Sequence, residues 1–309
     1  MTRPARVLAT LAAAALLLAG CGSVSDKVGA AAFVGNTRIP DSAVQSWFDA
    51  VLQKEPRLKP QLEQQNEMGT LGRKIASLEV QQELLRQAAL AEHLTVDEKS
   101  IDDAVAKMGG PQAATAGKIY TPANVRDEAR SQLLAVELGR KYLDRLAITF
   151  DYTQASNRQE AQTKAQRMAQ GQQQAAALVA ADRQAGVPSS VGQQLRAADN
   201  AQIAAGTPIF GVPPGTVVAF QPDQQSGQWL VVRVEDRRTE APSPTPVAGH
   251  TDPQILQEFG MQLLGMTEDR VGVQLSPRYG VWDPLAFGAA PNQDQTVGLR
   301  FDGRAVPPT

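Results

Sequence analysis

The chain has 309 residues, a formal net charge of −2, 20% charged and 42% hydrophobic residues, two histidines and a single cysteine. One cysteine leaves no partner for an intrachain disulfide. Two histidines far apart cannot supply the three or four donors of a zinc site, and the unpatterned, mildly acidic charge gives no footing for nucleic acid.

The first element is "VLATLAAAALLLAGCGS", residues 7–23. Its uncharged run from Val7 to Ala19 is 13 residues long, short of the roughly 20 that span a bilayer. Arg3 and Arg6 precede it, the layout of a secretory signal. The tetrapeptide Leu18-Ala19-Gly20-Cys21 resembles a bacterial lipobox. That resemblance implies a diacylglyceryl thioether on Cys21, cleavage before it, and acylation of the new amino terminus. One acyl chain holds a protein only marginally, whereas two or three anchor it firmly. Residues 1–20 are then signal and 21–30 a polar, glycine-containing tether. Losing Arg3 and Arg6 moves the charge from −2 to −4. The expectation is a lipid-anchored protein on the extracytoplasmic face of the cell membrane.

From residue 31 the chain reads as a helical domain. Ala31–Val34 and Thr37–Ile39 flank Gly35-Asn36, a hairpin signal, and a helix follows from a cap at Asp41, with Val44, Trp47, Phe48 and Val51 at helical spacing. A second helix over about 70–92 carries the stripe Leu71, Ile75, Leu78, Leu85 and Ala89, widened by Val80, Leu84 and Ala88. So broad a face is either buried on two sides or presented to a partner. Thr95 with Glu98 reads as a capping box opening a helix that ends at Gly109-Gly110. Thr121 and Pro122 read as the cap and first position of a long helix reaching Leu146.

The pattern then changes. "LAITFDY" alternates as a strand, Ser156 with Gln159 opens an alanine- and glutamine-rich helix, and "TVVAF" and "WLVVRVEDRR" read as two further strands. This order gives a small α+β domain over 148–238. A proline-rich linker, 239–251, leads to a helix from Asp252 and an extended segment ending at Asp283. Residues 284–309 show no periodicity and read as a flexible tail. The fold class is mostly α with a small α+β insert.

"AAFVGNTRIPDSAVQ" resembles the opening of SurA-type exported chaperones, and the helices up to Leu146 resemble the rest of that N-terminal domain. The middle region is similar in element order to a parvulin-type prolyl isomerase domain, with "SGQWLVVRVEDRR" resembling its last strand. "LSPRYGVWDP" resembles the close of SurA-like lipoproteins. The resemblance implies a discontinuous chaperone domain: 31–147 packed with the returning 252–283, and 148–238 inserted between them. Contacts between 271–275 and 31–34 are its sharpest structural expectation.

Parvulin chemistry, as the resemblance implies it, needs paired histidines and a cysteine or aspartate. His93 and His250 both lie outside 148–238, which also lacks cysteine. Asp182 and Asp199 fall in the interval without a motif, so no catalytic residue is carried over. The acidic pairs Asp97-Glu98 and Asp102-Asp103 sit where a helix start favours negative charge. No cofactor or metal site is expected.

The leading expectation is therefore a membrane-anchored, non-catalytic holdase for unfolded or partly folded exported polypeptides, with Ile75, Leu78, Leu84 and Leu85 as candidate client-binding residues. Two alternatives stand beside it: a divergent parvulin-type isomerase, and an interaction lipoprotein docking one envelope partner. An open face at Ile75–Leu85 favours client holding; a filled one favours scaffolding.

Overall fold

The computed structural model describes residues 28–223 and 225–303. Cys21, with the signal and most of the tether, lies outside them. Strands β1 (Ala30–Val34) and β2 (Thr37–Pro40) form the hairpin. Gly35 takes φ +58°, which a glycine adopts without strain, and its N–H reaches the carbonyl of Gly272 at 2.9 Å.

Five helices follow: α1 (Asp41–Lys54), α2 (Leu58–Gln65), α3 (Met68–Glu92), α4 (Glu98–Lys107) and α5 (Gly110–Thr115). The start of α1 is one residue earlier than expected. Pro40 is its cap and Asp41 lies in the first turn, where its carboxylate accepts from Arg278 and from the Tyr279 hydroxyl. α4 is capped by Asp97, which accepts from the Ser100 N–H at 2.8 Å, not by Thr95. Next, α6 (Val125–Leu143) begins after Asn124. Asn124 Oδ1 accepts the Thr121 N–H at 2.8 Å, so Thr121 and Pro122 belong to the preceding turn.

The sheet domain contributes β3 (Ala147–Ala155), α7 (Arg158–Ala169), α8 (Gln172–Gln184), β4 (Ser189–Arg196), α9 (Ala201–Gly206), β5 (Val217–Phe220) and β6 (Trp229–Arg238). α7 is capped by Asn157, while Ser156 donates to Glu160. The expected single helix is two, separated at Gly171, whose φ is +148°. Ala161, Ala165 and Met168 bury against Val217, Ala219 and Val231. The opposite sheet face merges with the helical core, where Phe210 meets Phe259 edge-on at 5.9 Å.

The chain then returns through α10 (Pro253–Gln262), α11 (Leu264–Val271) and β7 (Val273–Leu275). Asp252 caps α10 as expected. β7 pairs antiparallel with β1, with Ala32 opposite Leu275 and Val34 opposite Val273. The helical domain is thus discontinuous, mostly α, with an α+β insert. At the crossing of α6 and α10, a Cβ on Gly139 would stand 2.0 Å from the Leu256 carbonyl oxygen. One on Gly260 would stand 1.9 Å from that of Ala135. Only two glycines let these backbones meet.

Two expectations are corrected. The proline-rich stretch is strapped down: Ala241 N–H donates to the Arg145 carbonyl at 2.8 Å, and Asp144 accepts from the Val247 N–H at 2.7 Å. The segment read as a flexible tail is built into the fold through residue 303. Strands β8 (Val281–Asp283) and β9 (Gly288–Ala290) pair with each other, and β10 (Leu299–Phe301) pairs with β5, giving the sheet order β10-β5-β6-β3-β4. Three-residue strands are too short to print a period. Asp283, accepting from the N–H groups of Leu285, Ala286 and Val297, supplies the local order that the pattern hides.

Glu268 on α11 is 9% exposed, with Oε2 buried and unpartnered. Burial raises its carboxyl to about 7, against the pull of Arg300. The folded state therefore binds more protons than the unfolded chain between the ordinary carboxylate pKa and about pH 7, so this group's contribution falls as pH rises through that window. Glu268→Gln is expected to be near neutral at pH 5 and stabilising by about 2 kcal/mol at pH 8. Urea midpoints at the two pH values check it, and equal effects at both would contradict it.

Candidate functional site

A groove follows α6 across the helical domain. Three depressions of about 340, 200 and 460 Å³ run together along it, joined by Gln82 and Ser131 at one junction and by Gln132 and Gln257 at the other. The floor is apolar, with Leu78 and Leu85 from α3, Leu133, Leu134 and Val136 from α6, and Met261 from α10. The polar lining carries charges, among them Glu79, Arg86, Asp127 and Arg130 at the end nearest β2 and Glu128 and Glu258 further along, together with the glutamines Gln81, Gln82, Gln132, Gln254 and Gln257. The glutamine amides are uncharged, yet each both donates and accepts. Gln82 Nε2 is buried without an acceptor.

Rigid elements shape the groove. The 116–124 connection overhangs it with Tyr120, whose ring stacks tilted on Trp47 at 6.0 Å. Trp47 Nε1 donates to the Ile119 carbonyl at 2.9 Å, and Lys54 Nζ to the carbonyls of Thr115, Lys118 and Tyr120, each at 2.6 Å. Burial, reinforced by Glu128, raises the Tyr120 hydroxyl above its ordinary range and keeps it neutral. Glu79, at the end nearest β2, is raised by burial and then by Asp127.

The four candidate client-binding residues divide, which corrects the expectation. Ile75 and Leu84 are 0% exposed and belong to the closed core. α3 packs against α1, β1, α6, α11 and β9, so its stripe is covered from two sides. Leu78 is partly exposed, and it lines the groove with the edge of Leu85. The polar lining and the residues from α6 and α10 were not foreseen. They come together only when α10 returns from more than a hundred residues away.

The groups weighed for chemistry hold the fold. Asp97 caps α4, Glu98 pairs with Arg126 and Arg130 at 2.7 and 2.8 Å, Asp102 pairs with Arg126, and Asp103 pairs with Lys99. Asp182 accepts from the Thr153 hydroxyl at 2.5 Å and pairs with Lys164 at 3.0 Å. Asp199 accepts the Arg196 N–H at 3.4 Å. His93 is the exposed left-handed end of α3, with φ +54°, and His250 is exposed in the strapped stretch. Among the described residues there is no cluster of metal-ligand type and no helix long and apolar enough to cross a membrane. In the sheet domain the half-buried Phe150 and Tyr152 lie 6.2 Å apart, giving a small aromatic surface with no histidine or cysteine between residues 148 and 238.

Residues 2–119 match the family model of the SurA-like N-terminal domain. Among solved structures, the chain shares 13% identity with the foldase protein PrsA from Streptococcus pneumoniae. That match covers 73% of this chain and 92% of the other at a TM-score of 0.24, too low to carry an argument. No curated protein matches the chain.

Proposed function

We propose that this chain, which carries a SurA-like N-terminal domain, is a membrane-anchored chaperone that holds exported polypeptides without isomerising them. The observation that carries this reading is the groove along α6, an apolar floor flanked by glutamines and charged side chains. An unfolded polypeptide offers scattered apolar side chains and unpaired backbone amides. The floor takes the first, at about 25 cal/mol per Å² buried, and the amides take the second. No bond is made or broken.

The anchor gives the groove its place. Val28, whose carbonyl accepts from Arg38 at 3.0 Å, stands at the groove end that Arg38 lines. Six residues separate it from Cys21, a reach of at most roughly 25 Å over seven Cα steps. A lipidated Cys21 would hold the groove close to the bilayer, raising its effective concentration where polypeptides emerge. The empty inventory of histidine and cysteine in 148–238 supports a non-catalytic middle domain. A peptide assay for prolyl isomerisation is expected to return the uncatalysed rate.

The filled α3 core favours a second reading, an interaction lipoprotein docking one folded partner. A photo-crosslinking residue placed at Gln132 or Gln257 in the cell envelope separates the two. Many polypeptides of different mass are expected at both positions. A single stoichiometric partner would favour docking, and membrane release unaltered by Cys21→Ala would remove the anchor from the account.

A further inference from the structure

A second cavity, of about 350 Å³, lies apart from the groove at the junction of the helical and sheet domains. It is walled by α3, α6, α11 and the end of β6. Ligand sites of about 300–1,000 Å³ occur preferentially at such junctions. Its lining carries two carboxylates, Glu92 and Asp269, and two guanidiniums, Arg237 and Arg270. On α3, Glu92 is matched by Lys141 at 2.6 Å and by the Tyr142 hydroxyl at 2.7 Å, both from α6. On α11, Asp269 pairs with Arg300 at 2.5 Å, and Arg300 is shared with Asp302 at 3.1 Å. Arg145, beside Tyr142, pairs with Glu240.

Two cations remain. Arg237, from β6, donates through Nε to the Phe210 carbonyl at 2.9 Å, and no carboxylate among the described residues comes within ion-pairing distance of it. Arg270, exposed on α11, is likewise without an ion-pair partner among the described residues. Arg237 is half-buried and faces the cavity; burial lowers its pKa from its ordinary value, with Tyr142 and Glu92 pulling the other way. Leu138, Leu263 and Met266 supply apolar wall beside it.

We infer that this cavity binds a carboxylate carried on an apolar body, with the Arg237 guanidinium seating the carboxylate. A planar carboxylate accepts two parallel N–H bonds from a guanidinium fork. A single negative charge suits the cavity better than a dianion, because Glu92 and Asp269 stand nearby. The apolar body would lie against Leu138, Leu263 and Met266. The chemistry could come from the free C-terminus of a polypeptide ending in an apolar residue, or from a small free acid.

Calorimetric titration of the folded chain with N-acetyl-leucine, hexanoate, N-acetyl-leucinamide and inorganic phosphate tests this. At least one of the two carboxylates is expected to bind at least tenfold more tightly than the amide or phosphate, and the tighter of the two identifies the source. Arg237→Gln should weaken that binding about tenfold or more. Arg270→Gln, at the exposed rim, should weaken it about threefold with an unchanged melting temperature, so the inference stays testable if Arg237→Gln unfolds. Binding of the amide or phosphate as tightly as the carboxylates, no binding of any probe, or indifference to both substitutions would overturn it. None of these results bears on the groove.

Discussion

Gly260→Ala is expected to destabilise the protein by about 3 kcal/mol, at the upper end of what an inserted methyl does in a packed core. In a chain of this size that lowers the melting temperature by roughly 5 °C. A Cβ at position 260 would stand 1.9 Å from the Ala135 carbonyl oxygen and 2.8 Å from its carbonyl carbon. These are backbone atoms of α6, so no rotamer change relieves the clash and the helices must part. Gly139→Ala presses on the same crossing from the other side, 2.0 Å from the Leu256 oxygen. The double variant should therefore lose less than the sum of the two, since the first methyl has already opened the contact. Thermal and urea unfolding of the three variants checks this. A loss below about 1 kcal/mol for either single variant would mean that the helices have room to spare.

The second large effect is at Arg233, a fully buried arginine on β6. Its Nε donates to Glu235 at 2.7 Å and its Nη1 to the Gly215 carbonyl at 2.8 Å, while Nη2 and Glu235 Oε2 have no partner. Burial raises the Glu235 carboxyl, with Arg233 opposing and Asp151 adding to the rise. Removing the cation leaves a buried carboxylate beside another one. Arg233→Met is expected to cost about 3–5 kcal/mol. Replacing the whole pair removes both charges, so Arg233→Met with Glu235→Leu should recover most of that loss. A double variant as unstable as the single one would show that Arg233 matters for its carbonyl contacts and not for its charge.

The fold was legible wherever one residue type settles a local choice. Gly35 needs a positive φ and Asp252-Pro253 opens a helix, so the hairpin and α10 stand where the sequence places them. The caps of α4 and α7 moved by one or two residues because Thr95 and Asp97, or Ser156 and Asn157, compete for one role, and the side-chain geometry decides. β4 stayed hidden because it is an edge strand whose centre, Val191–Gln194, is exposed and carries no apolar alternation.

The groove was half legible for a related reason. Spacing along α3 puts Ile75, Leu78, Leu84 and Leu85 on one broad stripe, and cannot say which part a distant segment will cover. The cover comes from residues more than two hundred positions away: the Ala289 N–H donates to Ser77 Oγ at 2.8 Å, and Gln81 donates to the Phe287 carbonyl at 2.7 Å. These contacts close one side of α3 and leave Leu78 at the lip of the groove.

The central claim is that this groove shelters apolar polypeptide, and the aggregation of a chemically denatured model protein measures it most directly. The soluble chain from residue 22 onward, at several-fold molar excess, is expected to slow light scattering markedly. Leu133→Glu, which sets a charge on the groove floor, should abolish most of that protection while leaving the melting temperature close to that of the parent chain. Undiminished aggregation in the presence of the parent chain, or equal protection by the Leu133→Glu chain, would contradict the account.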